Sequence, residues 1–219
     1  MSTIFTKTFE APLFDKKEIL RYAGAKKDSP EISELIESCI GEVKDKLTYK
    51  VCYGQFPVSI NGKIVNLSFT ETESESLSKN LVCCKSIILF GATAGIEIDR
   101  LISRYGKISP SRALIFQAIG AERIEILCDE FTKHIQKEYG ATVPRFSPGY
   151  GDLSLKLQKD FFRVLEPSKR IGLTLNESML MTPTKSVTAI IGITDEDCGE
   201  LNHNCKDCNK TDCIYRRAL

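Results

Sequence analysis

"KSIILFGATAGIEIDRLISRYG", residues 85–106, carries the pattern on which the fold turns. Its first half is a short apolar run, which reads as a buried strand. Gly91 and Gly95 bracket a tight turn, and residues 96–106 read as a helix stopped by Gly106. A strand that turns directly into a helix calls for helices layered on a sheet.

Upstream, "SPEISELIESCIGEVKDKL" offers Ser29 as an N-cap and Pro30 at the first helical position. Apolar residues then recur at Ile32, Leu35, Ile36, Cys39, Ile40, Val43 and Leu47, the period of a helix with one buried face. "VCYGQFPVSINGKIVNLSF" changes to strand-like residues around Asn61 and Gly62, a hairpin signal that implies antiparallel pairing. Downstream, Ser109 to Tyr139 reads as a long helix with Pro110 at its start and Gly140 past its end. The prolines and glycines of "ATVPRFSPGYGD" forbid regular structure there. After it, "LSLKLQKDFFRVLE" reads as helix, and "RIGLTL" and "KSVTAIIGIT" as strands. The expected fold class is α+β: an antiparallel or mixed twisted sheet with flanking helices and no internal repeat.

The chain has 219 residues, 42% of them hydrophobic, and a formal net charge of +1. That length suits one domain, residues 1–195, with a cysteine-rich appendage, residues 196–219. Near-neutral charge provides no global field for nucleic acid or an anionic membrane. No apolar run has the length of a signal peptide or a bilayer span, so a cytoplasmic protein is expected. Thiols stay reduced in that compartment, so the nine cysteines do not suggest a disulfide framework. Cys39, Cys52, Cys83, Cys84 and Cys128 sit in apolar or amphipathic segments and read as small core residues.

Three internal features are candidates for chemistry. The turn from Gly91 to Gly95 has the shape of an anion-binding loop but lacks a following Lys-Ser or Lys-Thr, so tight strand-to-helix packing is the expected role. Glu125 falls on a helical wheel beside Leu114, Ala118, Ala121 and Cys128, at the edge of the apolar stripe. It is either a boundary carboxylate in water or one that faces a cationic ligand. In "RFSPGYGD", Arg145 supplies a fork of donors, Pro148 a fixed φ, Gly149 and Gly151 conformational latitude, and Tyr150 a flat ring. That set suits either a structural turn or a small ligand whose carboxylate pairs bidentately with Arg145.

The succession "LFGATAGIEID", "AIGAERIE", "RFSPGYGD" and "IGLTLNESMLMTPTKSVTAIIG" resembles the S-adenosylmethionine-binding activation domain of cobalamin-dependent methionine synthase, and most of all its free-standing clostridial-type versions. The similarity spans roughly residues 10–194. By position, the resemblance implies that Arg145, Pro148, Gly149 and Tyr150 form the ligand loop, with Glu125 on the long helix, Asp15 near the N-terminus, and Ser186 with Val187 on the last strand. It implies a reactivation role: S-adenosylmethionine methylates reduced cobalamin held by a partner protein, a methionine synthase lacking this domain, with an electron from a donor such as flavodoxin or ferredoxin. The cobalt would be the nucleophile, so no side-chain base is required, and none is evident in a chain with only His134 and His203.

The tail places Cys198, Cys205, Cys208 and Cys213 within sixteen residues as C-x6-C-x2-C-x4-C. Four thiolates suit an iron-sulfur cluster or zinc, although the spacing matches neither standard pattern, and a redox-active or unoccupied tail remains open. The need for a one-electron donor favours iron, because zinc is redox-inert. Two other functions stay open: a non-catalytic escort or sensor for a corrinoid protein, with a structural zinc tail, and a thiol-based redox regulator.

Overall fold

The computed structural model describes residues 3–25 and 29–194. In chain order its elements are β1 (Phe5–Phe9), α1 (Lys16–Tyr22), α2 (Pro30–Val43), β2 (Tyr49–Pro57), β3 (Ser59–Asn61), β4 (Ile64–Asn66), β5 (Glu71–Glu73), α3 (Glu75–Leu81), β6 (Cys84–Thr93), α4 (Glu97–Ile108), α5 (Pro110–Tyr139), a 3-10 turn (Leu155–Leu157), α6 (Gln158–Leu165), α7 (Pro167–Ile171), β7 (Thr174–Leu175), β8 (Met181–Thr182) and β9 (Ser186–Thr194). This is the expected α+β class. The main sheet runs β1-β2-β6-β9, and every pairing in it is antiparallel.

Alternation along the strands divides the core. Val51 and Tyr53 of β2, Ile88 and Phe90 of β6, and Ala189 and Ile191 of β9 face α5, where Leu127, Phe131 and Ile135 meet them. Their sequence neighbours Cys52, Ile87, Leu89 and Ile190 face the opposite way, against Leu77 and Leu81 of α3, Phe161 and Leu165 of α6, and Ile171 of α7. A central strand buried on both faces has to be apolar at consecutive positions, which accounts for the unbroken run in β6. A third cluster joins α1, α2 and α4 to the first half of α5.

Several local expectations hold. The Ser29 hydroxyl accepts from the Ile32 N–H at the start of α2, and Gly140 takes φ +91° past the end of α5. The hairpin forms between β3 and β4, with Gly62 at φ +60° in the turn. The expected 91–95 turn is shorter than its glycines suggest: Gly91 to Thr93 still pair with β9, and the chain turns only after Thr93, where Thr93 Oγ1 accepts from the Gly95 N–H and a Cβ at Gly95 would lie 2.5 Å from Thr48 Oγ1, the close packing expected there.

Other expectations need correction. Helix α4 passes through Gly106 and ends at Ile108, where the residue before Pro110 leaves helical geometry with φ −156° and ψ 82°. Residues of "RIGLTL" divide between α7, which Gly172 ends at φ +72°, and the two-residue strand β7. Cys39, Cys52, Cys84 and Cys128 are buried free thiols, but Cys83 is only half-buried. It follows the exposed Val82 where α3 gives out at the surface, so a core assignment fails for it. No helix among the described residues is long and apolar enough to cross a membrane.

Candidate functional site

The segment after α5 runs along the outer edge of β9. Val143 donates to Gly192 O at 3.0 Å, and Phe146 and Ile190 exchange two backbone hydrogen bonds at 2.9 Å. This short stretch covers the exposed edge of the sheet. It also fixes side-chain direction, because consecutive extended residues point to opposite faces. Phe146 joins the α6 side of the core, and Arg145 turns towards α5.

There the Arg145 guanidinium donates from Nη1 to Asp129 Oδ1 at 2.7 Å and from Nη2 to Glu125 Oε2 at 3.1 Å. Glu125 and Asp129 are one helical turn apart, so α5 presents both carboxylates to one cation. Burial opposes the charge on Arg145, but Cys128, Asp129 and Glu125 together outweigh it and hold its pKa above the ordinary value. Cys128 lies beneath, and burial pushes its thiol up to about 12, so it is a neutral floor.

The remainder of the loop is fastened to α3. Asp152 accepts from the Ser74 hydroxyl at 2.5 Å, the Glu75 N–H at 2.7 Å and the Ser76 N–H at 3.1 Å. Those bonds hold its carboxyl well below the usual carboxylate range. Gly151, at φ +53°, lies so near α3 that a Cβ would meet Ser76 Oγ at 2.5 Å. Pro148 is buried, Gly149 takes φ +91°, and Tyr150 is 58% exposed. The loop is therefore an ordered platform that carries Arg145 and an accessible aromatic ring.

On the other side of α5, the chain from β1 crosses to α1 over a buried ion pair. Arg123 is 0% exposed; its Nε donates to Glu122 Oε2 at 2.5 Å, while Nη1 and Nη2 reach Pro12 O at 2.6 Å and Leu13 O at 2.7 Å. The guanidinium stacks on Phe14 with 3.9 Å to the ring centroid, and Glu122 Oε1 accepts from the Asp15 N–H at 3.1 Å. Asp15 in turn caps α1, accepting from the Lys17 and Glu18 N–H groups. This clamp brings Asp15, Glu18 and Tyr22 up to Glu125. Burial, and then the Glu125 charge, raise the Tyr22 pKa, so its phenol stays a donor.

Two hollows result, with Glu125 as their shared wall. One, of about 280 Å3, is lined by Asp15, Glu18, Tyr22, Glu122 and Asp129 among others. The other, of about 310 Å3, lies between α5 and the loop and is lined by Thr132, Pro144, Arg145, Ser147, Tyr150 and Val187 among others. A guanidinium amid carboxylates and an exposed ring complements a ligand that carries its own carboxylate, a cation and a flat group.

The structure thus brings Arg145, Glu125 and Tyr150 to one groove, with Asp15 across α5 on the adjoining hollow. Pro148 and Gly149 shape the loop without lining either hollow. The Ser186 hydroxyl is buried, donating to Pro183 O at 2.8 Å and meeting Thr93 Oγ1 at 2.9 Å, and its neighbour Val187 lines the groove. Leu114, placed beside Glu125 on the wheel, is 52% exposed, so the apolar stripe narrows towards the start of α5. Asp129, Glu18, Tyr22 and the Glu122–Arg123 clamp escape sequence reasoning. Only Asp129 had a signal, its four-residue spacing from Glu125. Cys198, Cys205, Cys208 and Cys213 lie outside the described residues, among which no group of three or more potential ligands is placed to hold a metal.

Neither known protein families nor curated protein sequences give a match to this chain. Among solved structures, the crystal structure of the MetH reactivation domain bound to AdoHcy matches with a TM-score of 0.64 and 14% sequence identity, over 89% of this chain and 79% of that one. At that identity the likeness establishes a shared fold, that of the MetH reactivation domain.

Proposed function

We propose that this protein binds S-adenosylmethionine in the groove between α5 and the 144–150 loop, and that it serves the reductive reactivation of a cobalamin-dependent methyltransferase. The observation that carries this is the meeting of Arg145 and Tyr150, from the loop, with Glu125 of α5 in one hollow of the fold shared with an AdoHcy-bound domain. The groove residues fit the ligand chemically. Arg145 holds the amino-acid carboxylate, Glu125 faces the ammonium or sulfonium, and Tyr150 offers a flat face.

The methyl acceptor in this proposal is reduced cobalamin on a partner protein, such as a methionine synthase without its own activation domain. What this chain contributes is position: alignment of two reactants is worth roughly 7–11 kcal/mol of barrier. The two carboxylates that Arg145 bridges orient its fork, and its five N–H donors leave room for the ligand's own carboxylate beside them. The guanidinium is therefore paired before and after ligand entry, which avoids a bare charge in a half-buried site.

The four tail cysteines are retained as a proposed metal-binding segment. Iron and labile-sulfide analysis of anaerobically purified protein would identify a cluster and stoichiometric zinc a structural site, while neither metal would remove the assignment. The functional test is Arg145→Ala assayed with a corrinoid-loaded methionine synthase fragment, S-adenosylmethionine and a chemical reductant. Methylcobalamin formation is expected to fall at least tenfold with an unchanged far-ultraviolet spectrum, and full activity in the variant would refute the proposal.

A further inference from the structure

On the face of the sheet opposite α5, a hollow of about 750 Å3 opens between the end of β2, the turn joining β4 to β5, and α6 with α7. It lies within the range of small-molecule sites and exceeds either hollow at Glu125. Phe56 and Phe69 form an aromatic wall, edge to face with centroids 5.0 Å apart, continued by Ile4, Pro57 and Val164. Two guanidiniums complete the lining. Arg163 Nη2 donates to Phe69 O at 3.1 Å and to Asp160 Oδ1 at 2.9 Å, and Arg170 Nη1 donates to Ile4 O at 3.2 Å. Each guanidinium carries five N–H donors, so these bonds orient the forks and leave further donors on both.

The backbone around the hollow is unusual as well. Of the three non-glycine residues with positive φ among the described residues, two line it: Ser68 at +66° and Glu166 at +46°. Such conformations are costly and collect at ligand clamps and functional loops. Here one forms the turn that carries Phe69, and the other forms the junction that sets Arg163 on α6 against Arg170 on α7.

We propose that this hollow binds a small amphipathic monocarboxylate, its apolar body against Phe56 and Phe69 and its head between Arg163 and Arg170. An apolar wall beside paired donors selects a molecule with one greasy end and one anionic end. The Glu166 carboxylate on the same rim is paired with Lys169, and Arg163 is paired with Asp160, so the lining carries about one surplus positive charge, from Arg170, which suits a monoanion better than a dianion. The site is separated from Arg145 by the thickness of the sheet, so it stands apart from the function proposed above.

Octanoate and 1-octanol, equal in chain length and different in charge, provide the test by calorimetry on the full chain. One equivalent of octanoate is expected to bind saturably, with the alcohol weaker by about tenfold or more. The double variant Arg163→Gln/Arg170→Gln should lose octanoate affinity by at least the same factor while keeping the wild-type melting temperature, since both side chains are exposed. Absence of saturable octanoate binding, equal binding of the alcohol, or unchanged affinity in the double variant would each overturn the proposal.

Discussion

Replacing Arg123 with methionine should be among the most damaging single substitutions on α5, although methionine is a good helix former and fills similar space. The guanidinium is fully buried, and its departure strands the Glu122 carboxylate, itself only 3% exposed, in an apolar setting. It also removes the two bonds by which Arg123 holds the carbonyls of Pro12 and Leu13, at 2.6 and 2.7 Å. Removing one member of a buried ion pair typically costs about 3–5 kcal/mol, because the remaining charge is left uncompensated. That is a large share of the roughly 5–15 kcal/mol by which domains are stable. Urea unfolding followed by far-ultraviolet circular dichroism measures it. The control is Arg100→Ala, which breaks an exposed pair with Glu97 and should cost at most about 1 kcal/mol. In the double variant Glu122→Leu/Arg123→Leu part of the loss should return, since no buried charge remains, but the lost bonds to Pro12, Leu13 and the Asp15 N–H prevent full recovery. A loss below about 1 kcal/mol in Arg123→Met would refute the claim that this pair clamps residues 12–15 to α5.

Three further outcomes follow from the platform that bears Arg145. The stabilisation from Asp152 is present above the ordinary aspartate pKa and is lost as pH falls towards its depressed folded value; the stability gap between wild type and Asp152→Ala should therefore be full at pH 7 and shrink below about pH 4. Gly151→Ala combines a positive φ with a Cβ placed against Ser76 and should destabilise by about 1–3 kcal/mol in the same unfolding assay. Asp129→Asn leaves Arg145 with Glu125 as its one carboxylate partner among the described residues, and a changed affinity for S-adenosylmethionine without a change in secondary structure would show that Asp129 tunes the groove.

Much of the framework was legible because it rests on local rules. The Ser29-Pro30 start of α2, the Pro110-to-Gly140 span of α5 and the apolar run of β6 each announce themselves through capping or burial pattern. The site was legible in part: Arg145, Tyr150 and Glu125 stand out by residue type, but their meeting depends on the loop pairing with β9, a long-range contact with no local signature. The Glu122–Arg123 clamp is hidden for a similar reason. Adjacent opposite charges on a helix read as solvent-facing, and only the crossing of residues 12–15 buries them. Gly106 misled because a glycine inside a helix costs about 1 kcal/mol, which the packing of Ile98 and Leu101 on α4 offsets. Seven-residue helices such as α1 and α3 carry too few turns for their periodicity to speak; their caps, Asp15 and Ser74, were the available cue.

The central claim is tested most directly by titrating S-adenosylmethionine into the wild-type protein and Arg145→Ala by calorimetry at pH 7. One equivalent should bind to the wild type, and affinity should fall by about 10- to 100-fold in the variant, the worth of a charge-assisted contact. No binding to the wild type, or equal binding to both proteins, would contradict the account.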